Sequence, residues 1–282
     1  FQRERARAVT TWVSDDSPPS ATPRVGVVGA GVMGAGIAQL AAHTGADVVL
    51  RDISDELIRQ GRDRIVRAWD KLVSRGRLSP ADRDQRVARL TTTTDAADLS
   101  DVDVVIEAVT EREEIKRTVF SELDALLPPR AILATNTSAL SVTRLADVTG
   151  RADRVAGLHF FNPVHRMPLA EIITTDTTSP ETLSRLVTLV RGLGKTPLRV
   201  ADQPGFLVNR ILSGYLDEAV RLVCEGHAIE KIDKSMRRFG MPLGPLQLLD
   251  QIGLDVALHV ATGAADSSDD LGPTPARLEK MV

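Results

Sequence analysis

The sequence predicts an α/β fold, a doubly wound sheet followed by a smaller all-α domain, on three observations. Short apolar runs alternate with stretches of helical periodicity from Arg24 to Ala201. A glycine-rich turn, Gly29-Ala30-Gly31-Val32-Met33-Gly34, follows the first run and opens a helix. Beyond Asp202 only helical periodicity remains. The division expected is a linker or upstream tail over 1–23, an α/β domain over 24–201 and an all-helical domain over 202–282.

Along the chain, Arg24 to Gly29 (RVGVVG) reads as a buried strand, Val32 to His43 as a helix of small apolar residues, and Ala46 to Leu50 as a second strand. Ser54 caps a long, Arg-rich amphipathic helix running to about Arg75, and Ser79-Pro80 starts a shorter one. Strands are expected over Val102–Ile106, Ala131–Ala134, Val155–Phe160, Leu169–Thr174 and Pro197–Val200, with helices over Glu113–Leu127 and Pro180–Leu193. Leu207–Glu225, Ile229–Phe239 and Leu246–Ala261 make up the helical domain, and Gly263 to Pro275 reads as loosely ordered.

The 282 residues suffice for two domains, and a composition of 43% hydrophobic and 26% charged residues can bury a sizeable core. A net charge of −3 gives no basis for nucleic-acid binding, and no apolar run approaches the roughly 18 residues of a membrane span. With one cysteine, Cys224, no internal disulfide forms. Its neighbours suggest a buried helical thiol, and a reducing, cytoplasmic compartment is expected. The basic start, Phe1 to Arg7, lacks the apolar core of a secretory signal. A short helix from Gln2 to Trp12 and a Pro/Ser-rich stretch from Ser14 to Pro23 read as the tail of an upstream domain, so the chain is expected to be a piece of something longer.

The glycine turn sits where a dinucleotide pyrophosphate binds in a Rossmann-type sheet. Gly29 permits the tight turn, Gly31 lets backbone approach the phosphates, and Gly34 permits close helix–strand packing. Asp52, about twenty residues on, is placed to accept hydrogen bonds from the ribose hydroxyls, and its charge disfavours a 2′-phosphate. NAD is therefore the expected cofactor, although Arg51 is the kind of residue that accommodates that phosphate. The alternative is a structural glycine turn, with Asp52 capping the next helix.

Later segments carry the chemistry. Asn136-Thr137-Ser138 follows a strand, Gly157-Leu158-His159-Phe160-Phe161-Asn162-Pro163 ends another, and Glu171 lies on the next apolar run. Pro204-Gly205-Phe206-Leu207-Val208-Asn209-Arg210 opens the helical domain, and Phe239-Gly240-Met241-Pro242-Leu243-Gly244-Pro245 lies within it. In these motifs the sequence resembles the L-3-hydroxyacyl-CoA dehydrogenase family, both its monofunctional members and the dehydrogenase part of multifunctional fatty-acid β-oxidation enzymes. The likeness runs from Arg24 to Ala261, and the linker-like N-terminus favours the multifunctional form.

That resemblance implies NAD-dependent oxidation of (3S)-3-hydroxyacyl-CoA to 3-oxoacyl-CoA. His159 would be the general base, which suits an imidazole with an unperturbed pKa of about 6.5. Glu171 would fix its tautomer and stabilise the imidazolium. Ser138 and Asn209 would hold the substrate, with Asn162 supporting the site. Glu111 and Lys116 match the family's cofactor-contacting acid and lysine, and Asn136, Ser138 and Asn162 fall among the cofactor-binding positions. Coenzyme A phosphates call for cations, and Lys71 is the candidate, amid Arg62, Arg64, Arg67, Arg75 and Arg77.

Each residue has a plainer reading. His159 and Glu171 alone are a hydrogen-bonded strand-end histidine and a surface acid; Ser138 and Asn209 are helix caps; Lys116 is a solvated helix lysine; the arginine run is a solvated face. His165 competes as base but sits past Pro163 in an exposed loop, and His43, His227 and His259 have no partner pattern. No spacing suggests a metal. The family usually continues past this point with a further segment, so an incomplete helical domain is expected, with either a homodimer or docking to other parts of a parent protein. A dehydrogenase of free hydroxy or sugar acids, and a non-catalytic NAD-binding module of a larger complex, remain as alternatives.

Overall fold

A computed structural model describes residues 23–254 and residue 257. The expected N-terminal helix and all but the last residue of its linker, the loosely ordered stretch from Gly263, and His259 lie outside the described residues. The chain divides after Asp202 into two compact units.

The first unit is an eight-stranded sheet in the order β3-β2-β1-β4-β5-β6-β7-β8. Its strands are β1 (Val25–Val28), β2 (Val48–Arg51), β3 (Leu90–Thr93), β4 (Val104–Glu107), β5 (Ile132–Thr135), β6 (Val155–Phe160), β7 (Leu169–Thr174) and β8 (Thr196–Ala201). Strands β1 to β6 run parallel, and helices supply the crossovers: α1 (Val32–His43), α2 (Asp55–Ser74), α3 (Pro80–Ala88), α4 (Glu113–Leu126) and α5 (Val142–Ala146). Residues of β1, β4 and β5 are buried throughout, as befits strands covered on both faces. Trp69 of α2 and Phe120 of α4 are wholly enclosed.

Polar residues set the helix boundaries. The Ser54, Ser79 and Ser179 hydroxyls accept the Leu57, Asp82 and Thr182 amides, and proline takes the first position of α3 and of α6 (Pro180–Gly192). Strand β3 escapes the periodicity reading because its sequence, Leu-Thr-Thr-Thr, is polar. It lies at the sheet edge, where one neighbour, β2, is enough.

The doubly wound pattern breaks once. Strand β7 is antiparallel to β6, with His159 opposite Glu171, and β8 then pairs parallel to β7. The cause is the connection. Eight residues, Phe161 to Pro168, join β6 to β7 without a helix, too few for a parallel crossover.

Asp202, where the sequence begins to read as helical, is held by the α/β unit. Its carboxylate accepts the Val142 and Thr143 amides (3.1 and 2.8 Å) and the Ser141 and Thr143 hydroxyls (2.9 and 2.7 Å), covering the start of α5.

The second unit contains α7 (Val208–Cys224), α8 (Ile229–Phe239) and α9 (Pro245–Ile252) around Leu216, Val220, Ile232, Leu246 and Leu249. Buried Asp233 caps α9 from a distance, accepting the Leu246 and Gln247 amides at 2.9 and 3.1 Å. Cys224 is exposed, not buried as its apolar neighbours suggested, because it falls on the last turn of α7.

Helix α1 packs so closely on the glycine turn that a Cβ on Gly34 would lie 1.7 Å from the Gly29 carbonyl oxygen. Gly34→Ala should therefore cost about 1–3 kcal/mol through forced displacement and weaken dinucleotide binding. Urea denaturation and NADH titration check this; wild-type values in both would contradict it.

Candidate active site

The dinucleotide end is built from the β1–α1 turn and the ends of β2 and β4. Gly29 has φ +105°, and a Cβ there would meet the Ala108 carbonyl oxygen at 2.5 Å, so only glycine serves. Gly31 has nothing within 4 Å of where a Cβ would stand, and no side chain caps the first amides of α1. An open backbone cradle with uncapped N–H groups at a helix N-terminus fits a pyrophosphate.

Asp52 follows β2. Its carboxylate accepts the Ala30 amide at 2.6 Å and the Ile53 amide at 2.7 Å, which turns it toward the glycine loop and leaves lone pairs for ribose hydroxyls. It does not cap α2; Ser54 does. Arg51 is committed elsewhere, its side chain 12% exposed and its guanidinium paired with Glu122 at 3.0 Å. The guanidinium that the sequence offered to a 2′-phosphate is thus engaged by an acid.

The end of β4 holds a buried charge network. Lys116, 1% exposed, lies 2.7 Å from Glu107 Oε1 and 3.3 Å from Glu111 Oε2. It is not the solvated helix lysine its sequence position allows, because α4 turns it inward over the end of the sheet. Glu107 also accepts the Val109 amide and the Thr135 hydroxyl, both at 2.7 Å. Glu111 accepts the Ser138 amide at 2.7 Å and the Thr137 hydroxyl. One connected network thus runs from β4 through α4 to the Asn136-Thr137-Ser138 segment after β5.

Antiparallel pairing of β6 and β7 brings the predicted acid and base together. His159 is 4% exposed and Glu171 fully buried, and His159 Nδ1 lies 2.8 Å from Glu171 Oε2. With the proton on Nδ1, that N–H donates to the carboxylate and Nε2 offers its lone pair. Ser138 Oγ lies 3.3 Å from Nε2. Phe161 packs edge-on against the imidazole, ring centroids 4.6 Å apart. Ser138 is not a helix cap; α5 starts later and is capped by Ser141. Asn136 is mostly buried, and its side-chain oxygen accepts the Phe160 amide at 3.0 Å, tying β5 to β6 beside the histidine.

Asn162 is exposed in the β6–β7 turn. Asn209 is the second residue of α7, so it does not cap that helix; Leu207 holds the cap position. Lys71 is exposed on α2. His165 is exposed as expected, and burial, then Arg166 and Lys195, lowers its pKa. His43 and His227 are exposed too. Among the described residues, no group of His, Cys, Asp and Glu could hold a metal ion, and no helix is long and apolar enough to cross a membrane. Glu107 and Thr135 belong to the site but to none of the motifs read in the sequence, and Thr137, inside one of those motifs, was given no role there. The one signal was an acid, Glu107, ending an otherwise apolar strand run.

A glycine turn with an acid after β2, on the same sheet as a carboxylate-backed imidazole, defines an NAD-dependent oxidoreductase. The family is equally clear. Residues 24–203 match the model for the 3-hydroxyacyl-CoA dehydrogenase NAD binding domain, and residues 205–282 match that for the 3-hydroxyacyl-CoA dehydrogenase C-terminal domain. The chain belongs to the 3-hydroxyacyl-CoA dehydrogenase family. It is 41% identical over 244 residues to the fatty acid oxidation complex subunit alpha of Psychrobacter arcticus, covering 86% of this chain and 34% of that protein. The chain thus spans about a third of the length of such curated relatives. Among solved structures, M. tuberculosis FadB2 shares 40% identity with a TM-score of 0.89, covering 93% of this chain and 94% of that one. The (S)-3-hydroxybutyryl-CoA dehydrogenase PaaH1 of Ralstonia eutropha shares 40% identity and a TM-score of 0.89, with 93% of each chain covered.

Removing one partner of a buried ion pair strands the other. Lys116→Met should destabilise the α/β unit by about 3–5 kcal/mol, and adding Glu107→Gln should recover most of that loss. Urea denaturation of the single and double variants measures both; equal instability in the two would refute the pairing.

Proposed function

We propose that this chain oxidises the 3-hydroxyl of (3S)-3-hydroxyacyl-CoA to the 3-oxoacyl thioester, the dehydrogenation step of fatty-acid β-oxidation. The observation that carries the reading is the buried contact of His159 Nδ1 with Glu171 at 2.8 Å, with Ser138 Oγ at 3.3 Å from Nε2. Bound NAD supplies the acceptor for the hydride that leaves C3. His159 Nε2 takes the hydroxyl proton, and Glu171 stabilises the imidazolium that results. Ser138, whose amide is held by Glu111, orients the substrate oxygen toward Nε2. Asn209, on the helical unit, is the second neutral hydrogen-bonder of the proposal, and Asn162 supports the cofactor side.

Lys71 is the proposed contact for coenzyme A phosphate. Among the described residues it forms no ion pair, whereas Arg59 and Arg67 on the same helix pair with Glu56 and Asp63. The reading includes a cytoplasmic setting, and either a homodimer or docking to further domains of a longer parent. Sedimentation of the chain alone and within that parent distinguishes these last two.

The test follows NADH oxidation with acetoacetyl-CoA, with free acetoacetate in parallel. Turnover of the thioester is expected. Turnover of the acid alone would move the substrate to free hydroxy acids, and a folded, NADH-binding chain inert to both would end the proposal. His159→Ala and Glu171→Gln should each lower kcat by about 10²- to 10⁴-fold, and an unchanged kcat in either variant removes that residue from the chemistry. Asp52 should make NADH much the better cofactor, and Asp52→Ala should narrow its advantage over NADPH. Equal kcat/KM for the two cofactors with the wild-type chain would contradict the role given to Asp52.

A further inference from the structure

Lys195 lies in the turn between α6 and β8, outside every motif above. It is 9% exposed, and burial lowers its pKa. No carboxylate pairs with it among the described residues. Its Nζ instead donates to two backbone carbonyls, Val164 at 2.6 Å and Met167 at 2.7 Å. Both belong to the turn that joins β6, carrying His159, to β7, carrying Glu171. A buried cation with only neutral acceptors is costly to desolvate, so its hydrogen bonds must compensate within the fold.

The same turn is held at other points. The Thr196 amide donates to the Pro168 carbonyl at 2.7 Å, and the Arg166 and Met167 amides donate to the Pro163 carbonyl at 3.0 and 3.2 Å. Buried Val164 also rests on α1, where a Cβ on Gly36 would come within 3.0 Å of Val164 Cγ2. The turn is therefore held both by the helix that follows the glycine loop and by the Lys195 ammonium. Asn162 and Phe161, the ring packed on His159, lie at its start.

We propose that Lys195 is a positioning residue, an ammonium clamp that fixes the β6–β7 turn and thereby the placement of His159 against Glu171 and of Phe161 and Asn162 beside it. It touches neither acid nor base and acts through the backbone. The catalytic consequence rests on the dehydrogenase reading above; the clamp itself does not.

Two measurements on Lys195→Met decide the matter. Arg166, exposed in the turn, is a trypsin site, and cleavage after it can be followed by mass spectrometry on the folded chain. Loss of the clamp should speed that cleavage about tenfold as local opening becomes easier. In the acetoacetyl-CoA assay, kcat per NADH-binding site should fall at least about tenfold, toward the roughly hundredfold that a 1 Å misplacement costs, with KM nearly unchanged. Wild-type cleavage would overturn the clamp. Faster cleavage with an unchanged kcat per site would overturn the positioning role and leave only a structural one. Where the Met variant does not fold, Lys195→Gln, which keeps a single donor group, is held to the same outcomes at smaller amplitude. If the wild-type chain shows no turnover, the dehydrogenase reading fails, and the cleavage measurement still decides the clamp.

Discussion

Everything at the proposed site depends on one reversal of chain direction. Six parallel strands deliver their C-terminal ends to one edge of the sheet, where a doubly wound fold gathers ligand-binding groups. A seventh parallel strand would have put its own end there as well. Because β7 runs the other way, His159 near the end of β6 meets Glu171 near the start of β7, side by side on one face. The 2.8 Å contact is a cross-strand pair, brought into register by the ladder and closed off by the turn that joins the two strands. Full burial of the acid leaves the imidazole as its natural partner, which is how a carboxylate survives inside an apolar strand at all.

A second buried acid plays a comparable part at the end of β4. Glu107 takes three hydrogen bonds, from Lys116, Thr135 and the Val109 amide. Through Lys116 it neutralises and locates Glu111, whose other oxygen holds the Ser138 amide. A polar network of this size, fully satisfied, stiffens what it touches. It joins the segment after β5 to the loop beside the glycine turn, so the histidine's hydroxyl neighbour is anchored from the cofactor side of the sheet.

Much of this was legible in the sequence, and the reasons differ by element. Strands β6 and β7 and helix α8 are bounded as expected because their apolar patterns end on sharp changes of composition. The glycine turn, Asp52 and His159 were legible because each stands at or near a strand end in a recognisable context, and Glu171 because it is an acid within an otherwise apolar run. Strand β3 was not, since three threonines carry no apolar signal. The direction of β7 could have been inferred from an eight-residue connection with no helix in it. Lys116 carried a solvated helix lysine as its plainer reading, and Lys195 falls in no motif; only packing reveals that both are buried and end on acceptors inside the fold. Cys224 erred the other way, its neighbours being apolar while its own place on the helix faces outward.

The grip of Asp202 on the start of α5 bears on mechanics. With four donors converging on one carboxylate, the last residue of the α/β unit is stapled to the short helix that begins just after Ser138. The chain therefore leaves this unit with no slack. Tension arriving along the chain at Asp202 is borne by the start of α5, the helix that follows the segment carrying the serine.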